Sequence, residues 1–292
     1  VFENFIEGKG NQFARAAAIS VTDKPGQTYF NPLLIYSSPG LGKTHLLQAA
    51  GNRMLRKNRA LKVLYITGEK FMLDFIGSLQ QNKSSEFTKF YRNVDMLLLD
   101  DVQFFVGKEQ TQEQFFHLFN DLYQKGKQII LTTDRHPRKL IGLQERLISR
   151  FQSGLITDIN PPDLETRIAI IMNEAKHTGL DLEYSIVEFV ARSISGDIRV
   201  MKSLLVRLQA LSTLKNIDID INLCREVIRE NIGESNLQSI TYLQILSYVS
   251  KDLKVSKKLL LGKSRSQDVA AARQIIMFLT RKLTNLSLKN IG

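Results

Sequence analysis

Short apolar runs alternate with longer stretches of helical periodicity over the first 160 residues. Five apolar runs, each bounded by polar residues, Gly or Pro, predict buried strands, and they lie within 31–40, 61–67, 94–102, 128–134 and 154–162. Between them, apolar residues recur three and four positions apart, which predicts helices over 44–55, 71–80, 84–94, 113–127 and 140–151. Apolar strands that alternate with helices favour an α/β fold in which a parallel sheet is covered on both faces.

The pattern changes after Pro161 and Pro162. Strand signals nearly vanish, and helical spacing predicts helices over 165–179, 185–195, 199–215 and 221–231. We therefore predict a core over residues 1–162 and a small all-helical domain over residues 163–232. The remainder, 233–292, opens with the polar stretch GESNLQS and then predicts a helix, a break and another helix.

Charge sets this last segment apart from the rest of the chain. The formal charge is +11, from 40 basic and 29 acidic residues. Residues 240–292 contain ten Lys or Arg and two Asp, so they carry +8 of that charge and leave +3 for the other 239 residues. A basic helical module indicates a polyanionic partner. Nucleic acid is the first candidate and an anionic membrane is the second. The alternative is a solvated basic surface.

The remaining composition indicates a globular protein of the cytosol. Hydrophobic residues make up 43% of the chain, and no apolar run approaches the ~20 residues that span a bilayer. No charged-then-apolar leader is visible, and Cys224, which is the one cysteine, suits a reducing compartment as a small buried side chain. Since the first residue is Val1, we expect the sequence to be a fragment.

The strongest local motif is SSPGLGKT, residues 37–44, between the first predicted strand and the helix that follows it. Gly40 and Gly42 allow backbone N–H groups to face phosphates at a helix N-terminus. Lys43 adds a charge near the β- and γ-phosphates, and the Thr44 hydroxyl can bind Mg²⁺. Ser37 replaces the usual first glycine, which serves turn geometry, so we expect it to be tolerated. Alternatively, the Gly-Lys-Thr sequence occurs by chance in an ordinary turn that binds no phosphate. The residues expected to bind ATP or ADP are Pro39, Gly40, Leu41, Gly42, Lys43 and Thr44.

A pair of acids, Asp100 and Asp101, follows the apolar run MLLL and supplies the second half of the site. Ligands bind at the carboxyl ends of parallel strands, so we expect Asp100 to hold Mg²⁺ with Thr44, and Asp101 to polarise the attacking water. The sequence Thr132-Thr133-Asp134 ends the fourth predicted strand beside Asp100, where it could sense the γ-phosphate. Alternatively, these acids are ordinary solvated residues at the end of a strand and bind no ligand.

Three arginines fit the same chemistry, because a planar and always charged guanidinium suits phosphate. Arg146 and Arg150 are four residues apart and therefore share one helix face. Arg199 begins a helix after the break at Gly196 and Asp197. Taken singly, each of them is more often an ordinary surface arginine.

The order and spacing of SSPGLGKT, LLLDDVQFF, QIILTTDRHP, ERLISRF and INPPDLETR resemble the AAA+ ATPases and, among them, the DnaA-type replication initiators. FENFIEGKGNQFARAAAISV resembles that family's segment before the phosphate loop, and the resemblance extends from Phe2 to Gly292. It implies an AAA+ parallel-sheet ATPase core, an all-helical lid and the N-terminal part of an all-helical DNA-binding domain of helix-turn-helix type. The family's recognition helix is expected to follow Gly292.

The resemblance also implies roles for matched residues. Arg150, in the sequence Ser-Arg-Phe, corresponds to the arginine finger that reaches a neighbour's ATP, and Arg146 corresponds to a second interface arginine. Asp134 corresponds to sensor one, and Arg199 to the sensor two of the lid.

Further matched positions imply contacts with DNA. Residues 70–94 resemble the helical element that lines the filament interior, where Ile76 and Lys108 match positions that hold single-stranded DNA. A nearby family arginine is replaced by Gln110. Lys263, Arg265 and Arg273 match positions that approach duplex DNA.

These roles imply an initiator that binds origin duplex DNA and, with ATP bound, oligomerises to open the origin. ATP would act as an assembly switch with slow, assembly-dependent hydrolysis. The implied partners are double-stranded origin DNA, single-stranded DNA, further copies of the chain, a helicase or helicase loader, and acidic phospholipid; the implied location is the cytoplasm, at the nucleoid. One alternative is a helicase-loader ATPase acting on protein partners, although such loaders lack the basic helical domain. A small-molecule kinase would leave Arg150 and Arg199 unexplained.

Overall fold

A parallel five-stranded sheet organises the computed structural model of the chain, which describes residues 1–194, 196–215, 217–232, 242–262 and 266–283. The strands are β1 (Leu33–Tyr36), β2 (Val63–Thr67), β3 (Met96–Asp100), β4 (Gln128–Thr133) and β5 (Leu155–Asp158). Their order across the sheet is β2-β3-β4-β1-β5, and each of these neighbouring pairs is parallel. The predicted α/β class is therefore confirmed, and all five strands lie inside the predicted segments.

Helices follow and precede the strands throughout this part of the chain. They are α1 (Gln12–Asp23), α2 (Lys43–Lys57), α3 (Gly68–Gln80), α4 (Ser84–Arg92), α5 (Glu109–Gln124), α6 (Glu145–Gln152), α7 (Leu164–Thr178), α8 (Tyr184–Ser193) and α9 (Ile198–Lys215). Short 3-10 turns occupy Phe2–Asn4, Val102–Phe105 and Pro137–Lys139.

Alternate residues of the central strands enter two different apolar clusters, so both faces of the sheet are covered. On one face, Leu97 and Leu99 of β3 pack in a cluster rich in aromatic residues that includes Phe71, Phe115 and Phe151. On the other face, α2 packs against β3 and β4 while α1 packs against β1 and β5, and the cluster includes Met96, Leu98, Ile130, Ala14, Ala17, Ala18, Leu46 and Leu47. This two-residue period is the packing that the apolar strands predicted.

Three local features differ from the expectations. The sequence pattern did not predict α1, whose buried alanines fit it closely against α2. Helix α5 begins at Glu109 rather than 113 because Gln112 is buried and its amide donates to two carbonyls, those of Phe105 (2.8 Å) and Gly142 (2.9 Å). Helix α6 begins at Glu145 rather than 140, since Gly142 has a φ of +94° and breaks the helical path.

The structure divides into two compact units, one of residues 1–191 with 196–217, and one of residues 192–195 with 218–292. The second unit contains α10 (Ile221–Ile232), α11 (Tyr242–Asp252), α12 (Lys257–Leu260) and α13 (Gln267–Leu283). An apolar cluster that includes Ile245, Val249, Leu260 and Ile276 joins α11, α12 and α13. The predicted domain limits at residues 162 and 232 stay predictions. In the described part of the chain, no helix has both the length and the apolar character needed to cross a membrane.

Candidate nucleotide site

The phosphate loop connects β1 to the N-terminus of α2. Gly40 and Gly42 have φ values of +82° and +99°, a region that other residues avoid. Ser37 is not among the residues with positive φ; its N–H donates to the Thr133 carbonyl (3.2 Å) and its hydroxyl donates to the Ser38 carbonyl (2.9 Å). A serine therefore fits where the motif usually has glycine. No side chain caps α2, so its first N–H groups remain directed at the space above the loop, as anion binding requires.

Lys43 is buried within this loop, with only 7% of its surface exposed. Its ammonium Nζ donates to the carbonyls of Ser37 (2.8 Å) and Ser38 (3.4 Å). Burial lowers the pKa of Lys43, and the nearby charges of Asp101 and Asp100 oppose that shift. A partly desolvated ammonium interacts strongly with any phosphate that enters, because water screens it poorly.

Asp100 ends β3 and lies at the centre of a network of hydroxyl groups. Its Oδ2 accepts hydrogen bonds from Thr44 Oγ1 (2.7 Å) and Tyr65 OH (3.1 Å), and its Oδ1 accepts one from Thr132 Oγ1. Burial and the adjacent Asp100 carboxylate raise the pKa of Tyr65 to about 12, which keeps its phenol protonated as a donor. The structure thus brings Thr44 and Asp100 together across 56 residues of sequence.

Asp101 and Asp134 follow on neighbouring strands and are bridged by Gln103. Asp101 has a φ of +60°, its N–H donates to Thr132 Oγ1 (2.9 Å), and its Oδ1 accepts from Gln103 Nε2 (2.9 Å). The Asp134 N–H donates to Gln103 Oε1 (3.3 Å), while the Asp134 carboxylate pairs with Arg135 at 2.6 Å. The predicted sensor carboxylate is therefore engaged by its own neighbour in sequence.

A cavity of about 460 Å³ opens beside Lys43, Thr44 and Asp101, and Asp134 is not among its lining residues. It is lined by the phosphate loop, Asp101, the segment that contains Phe5 and Gly8, the residues that follow β5, and residues of α7 and α9, including Arg199. Its volume lies within the range of sites that bind small ligands, about 300–1,000 Å³. The N-terminal segment was recognised only by resemblance, since its sequence has no motif with a chemical reason to bind a nucleotide.

Helix α9 contacts the phosphate loop directly at its first turn. The Ile198 N–H donates to the Gly40 carbonyl (3.1 Å), and the Arg199 N–H donates to Asp197 Oδ1 (2.8 Å). A Cβ atom added to Gly40 would lie 2.1 Å from Asp197 Oδ1. Arg199 thus reaches the cavity from a helix whose start is fixed against the loop.

Hard oxygen ligands suit Mg²⁺, which proteins usually hold through one or two carboxylates together with phosphate oxygens. The Thr44 hydroxyl and the Asp100 carboxylate are such a pair, and they already adjoin each other beside the cavity wall. These residues therefore fit the ion. Thr132 was expected beside Asp100 and does bond to it, whereas Tyr65, which also bonds to Asp100, was missed because a tyrosine within a strand looks like an ordinary strand residue.

Arg146 and Arg150 lie elsewhere, on the exposed face of α6. Their guanidinium carbons lie 4.7 Å and 5.9 Å from the ring centroid of Phe116 on α5. Neither arginine lines the cavity that contains Arg199.

The predicted DNA-contacting residues are distributed over both units. Ile76 is 42% exposed on α3, and Lys108 is exposed immediately before α5. The Arg273 guanidinium donates to the carbonyls of Leu259 and Leu260, both at 2.9 Å, and of Gly262, so it closes the carboxyl end of α12. Lys263 and Arg265 lie outside the described residues.

Two family models match the chain. One, described as the bacterial DnaA ATPase domain, matches residues 1–158, and the other, described as the bacterial DnaA helix-turn-helix, matches residues 243–292. The chain is 47% identical over 291 residues to the chromosomal replication initiator protein DnaA of Lacticaseibacillus paracasei. That match includes 100% of this chain and 65% of the relative's length, so the chain spans about two thirds of the curated relative.

Solved structures agree with these sequence matches. Domain III of the replication initiation protein DnaA from Thermotoga maritima superimposes with a TM-score of 0.77 at 40% identity, over 80% of this chain and 97% of that one. A replication initiator DnaA bound to AMPPCP and single-stranded DNA gives a TM-score of 0.69 at 37% identity, over 99% of this chain and 84% of that one.

Proposed function

The chain belongs to the bacterial DnaA family, and on that premise we propose that it is a nucleotide-controlled replication initiator. It binds ATP or ADP with Mg²⁺, binds origin duplex DNA and, with ATP bound, assembles with further copies to open the origin. The observation that carries this proposal is the grouping of Lys43, Thr44, Asp100 and Asp101 beneath a cavity that Arg199 enters from the lid.

Each residue of the site has a role in this proposal. Pro39, Gly40, Leu41 and Gly42 present backbone N–H groups to the phosphates, and Lys43 and Arg199 add positive charge. Thr44 and Asp100 hold Mg²⁺, which neutralises phosphate charge when it is bound. Asp101 orients the attacking water, and the strand end at Asp134 responds to the γ-phosphate.

The arginines of α6 act on a neighbouring copy. Arg150 and Arg146 are exposed and lie apart from the chain's own cavity, which supports a role in completing the site of the next protomer. The attacking water and the finger then belong to different chains, so hydrolysis is slow until the protein assembles. ATP consequently works as a switch whose γ-phosphate favours assembly.

DNA is the proposed polyanion. The +8 charge of residues 240–292 and the helix-turn-helix match over 243–292 support duplex binding through Lys263, Arg265 and Arg273. Exposed Ile76 and Lys108 support contact with single-stranded DNA inside the assembly.

The proposal also includes the location of the protein and its further partners. We place the protein in the cytoplasm at the nucleoid, with a helicase or helicase loader as its protein partner and acidic phospholipid as a competing polyanion for the basic segment. The DnaA helix-turn-helix match favours an initiator over a loader, because the basic domain explains the charge at this end of the chain.

The decisive experiment replaces Arg150 with alanine. Arg150→Ala should leave ATP affinity of the monomer unchanged in calorimetry, but remove ATP-dependent assembly in light scattering and slow assembly-dependent hydrolysis by ~10³–10⁵. Arg59→Ala is the matched control, because it removes the same charge from the exposed residues after α2. Assembly of Arg150→Ala as strong as that of the parent would overturn the switch mechanism.

A further inference from the structure

We propose that Phe116 is a positioning residue that holds Arg146 and Arg150 in the arrangement presented to a neighbouring copy of the chain. This inference rests on the proposed role of Arg150. It assigns to α5 a part of the protomer interface that neither the motifs nor the charge pattern indicated.

Phe116 occupies the position where α5 and α6 meet. Its ring is half-buried and packs against the aromatic core of the first unit, so the ring itself has a fixed position. The guanidinium carbons of Arg146 and Arg150 lie 4.7 Å and 5.9 Å from its centroid. Both distances are within the ~6 Å over which a cation is attracted to the face of an aromatic ring.

Helix α6 is anchored from its opposite face. Leu147, Ile148 and Phe151 are buried, whereas Arg146 and Arg150, one helical turn apart, point outward. The helix is only eight residues long, and long arginine side chains on such a surface otherwise populate many rotamers. Contact with a single fixed ring restricts both side chains at once.

The two arginines are held differently. Arg146 Nε donates to Gln144 Oε1 (2.8 Å), and its terminal nitrogen lies 3.8 Å from Glu113. The Gln144 backbone N–H in turn donates to the buried Gln112 (2.8 Å). Arg146 is therefore tied to a rigid support in its own chain.

Arg150 lacks such ties. Among the residues that the structure describes, no carboxylate or carbonyl accepts a hydrogen bond from its guanidinium, which contacts the Phe116 ring. An aromatic face attracts the cation without using its N–H donors or neutralising its charge. Arg150 is thereby oriented in advance while its donors remain available for an anion as highly charged as a triphosphate. A carboxylate at the position of Phe116 would orient the same arginine but sequester it.

The test compares substitutions that separate the aromatic face from the packing of residue 116. Phe116→Leu and Phe116→Met keep an apolar side chain against the core but remove the ring, whereas Phe116→Tyr keeps the ring. Both ring-free variants should require about two- to tenfold more protein for ATP-dependent assembly, as expected for the loss of one or two cation–π contacts. Phe116→Tyr should assemble like the parent, and ATP affinity of all three monomers should be unchanged.

Mixing experiments test whether the defect lies in the α6 surface that one protomer presents, rather than in the nucleotide site of the same protomer. Lys43→Ala supplies an intact α6 face but no nucleotide, so it should raise the hydrolysis rate per bound ATP when mixed with Phe116→Leu. Arg150→Ala binds ATP but supplies no finger, so its mixture with Phe116→Leu should stay slow. General misfolding of Phe116→Leu would abolish rescue by Lys43→Ala, and that result would overturn the positioning role.

The outcomes also distinguish this inference from the function on which it rests. If Arg150→Ala fails to assemble while both ring-free variants assemble like the parent, Phe116 has no positioning role and the proposed function stands. If Arg150→Ala also assembles like the parent, the proposed function fails and this inference fails with it. A Phe116→Tyr variant as defective as Phe116→Leu would show that packing at residue 116, rather than its ring face, is what matters.

Discussion

Replacing Gly40 with alanine should uncouple the phosphate loop from helix α9. The backbone there has a φ of +82°, and the added Cβ would lie 2.1 Å from Asp197 Oδ1. Atoms do not approach so closely, so the Asp197 side chain must move. It then ceases to accept the Arg199 N–H, and the adjacent bond from the Ile198 N–H to the Gly40 carbonyl is displaced with it.

The expected magnitude follows from three losses. Left-handed backbone at a residue with a Cβ costs ~1 kcal/mol or somewhat more. Loss of an N-cap costs ~1 kcal/mol, and loss of one backbone hydrogen bond costs ~1 kcal/mol. The free energy of unfolding of Gly40→Ala should therefore fall by about 3 kcal/mol, and its ATP affinity should fall because Arg199 is no longer fixed at the cavity.

Two glycines of the same chain provide matched controls in urea denaturation. Gly179, at the end of α7, has a φ of +71° with nothing within 4 Å of an added Cβ, so Gly179→Ala should cost only the backbone strain, ~1 kcal/mol. Gly77, inside α3, also has nothing within 4 Å, and its φ is not positive. Gly77→Ala should be neutral or stabilising by ~1 kcal/mol, the difference in helix propensity.

A double variant gives the sharpest check. Asp197→Ala alone should cost ~1 kcal/mol, because α9 loses its N-cap. It also removes the side chain with which the new Cβ of residue 40 would collide. The double variant Gly40→Ala with Asp197→Ala should therefore cost only ~2 kcal/mol, less than Gly40→Ala alone. The two substitutions should thus be coupled by ~2 kcal/mol. Strict additivity, or a Gly40→Ala cost equal to that of Gly179→Ala, would refute the close contact between the phosphate loop and the start of α9.

Further substitutions test the remaining groups of the site. Lys43→Ala should abolish tight ATP binding in calorimetry, because the buried ammonium at the phosphates is lost; an unchanged affinity would contradict the site. Asp101→Asn should keep ATP bound but slow its single-turnover hydrolysis, and loss of binding with normal hydrolysis per bound nucleotide would reverse the roles of the two acids. Tyr65→Phe removes one hydroxyl donor to Asp100 and should weaken Mn²⁺ binding in the presence of ADP about fivefold, as one hydrogen bond of ~1 kcal/mol predicts, in a spin-resonance titration. Duplex DNA binding should weaken steeply with added salt in a fluorescence titration, and an affinity indifferent to salt would argue against phosphate contacts by the basic segment.

Much of the nucleotide site could be predicted because its chemistry is concentrated in short segments. SSPGLGKT follows a strand and precedes a helix, and MLLLDD places two acids at a strand end, so a parallel sheet puts both segments on the same edge. The hydrogen bond from Thr44 to Asp100 is the outcome of that topology. Thr132 was expected beside Asp100, whereas Tyr65 escaped prediction because it is one hydroxyl within a strand whose register the sequence does not fix.

Contacts between segments distant in sequence were harder to anticipate. The fit of Asp197 to Gly40 depends on where the lid begins relative to the loop, which helical periodicity does not determine. The position of Phe116 under two arginines depends on how α5 and α6 pack. Arg273 matches a DNA-contacting position of the family, yet its carbonyl partners at the end of α12 could not be deduced from a basic sequence.

The arrangement of cations explains why one nucleotide could control both the lid and the assembly under the proposed function. Lys43 and Arg199 lie at the chain's own cavity, and Arg199 is fixed to the phosphate loop through Gly40 and the first turn of α9. Arg150 lies on another surface, oriented by a ring and without a carboxylate partner in the described part of the chain. Under the proposed function, a γ-phosphate interacts with Arg199 of its own chain and with Arg150 of the next. Because both of these proposed contacts need the γ-phosphate, its removal would weaken the binding of Arg199 to the nucleotide and the assembly of protomers together, as a switch requires.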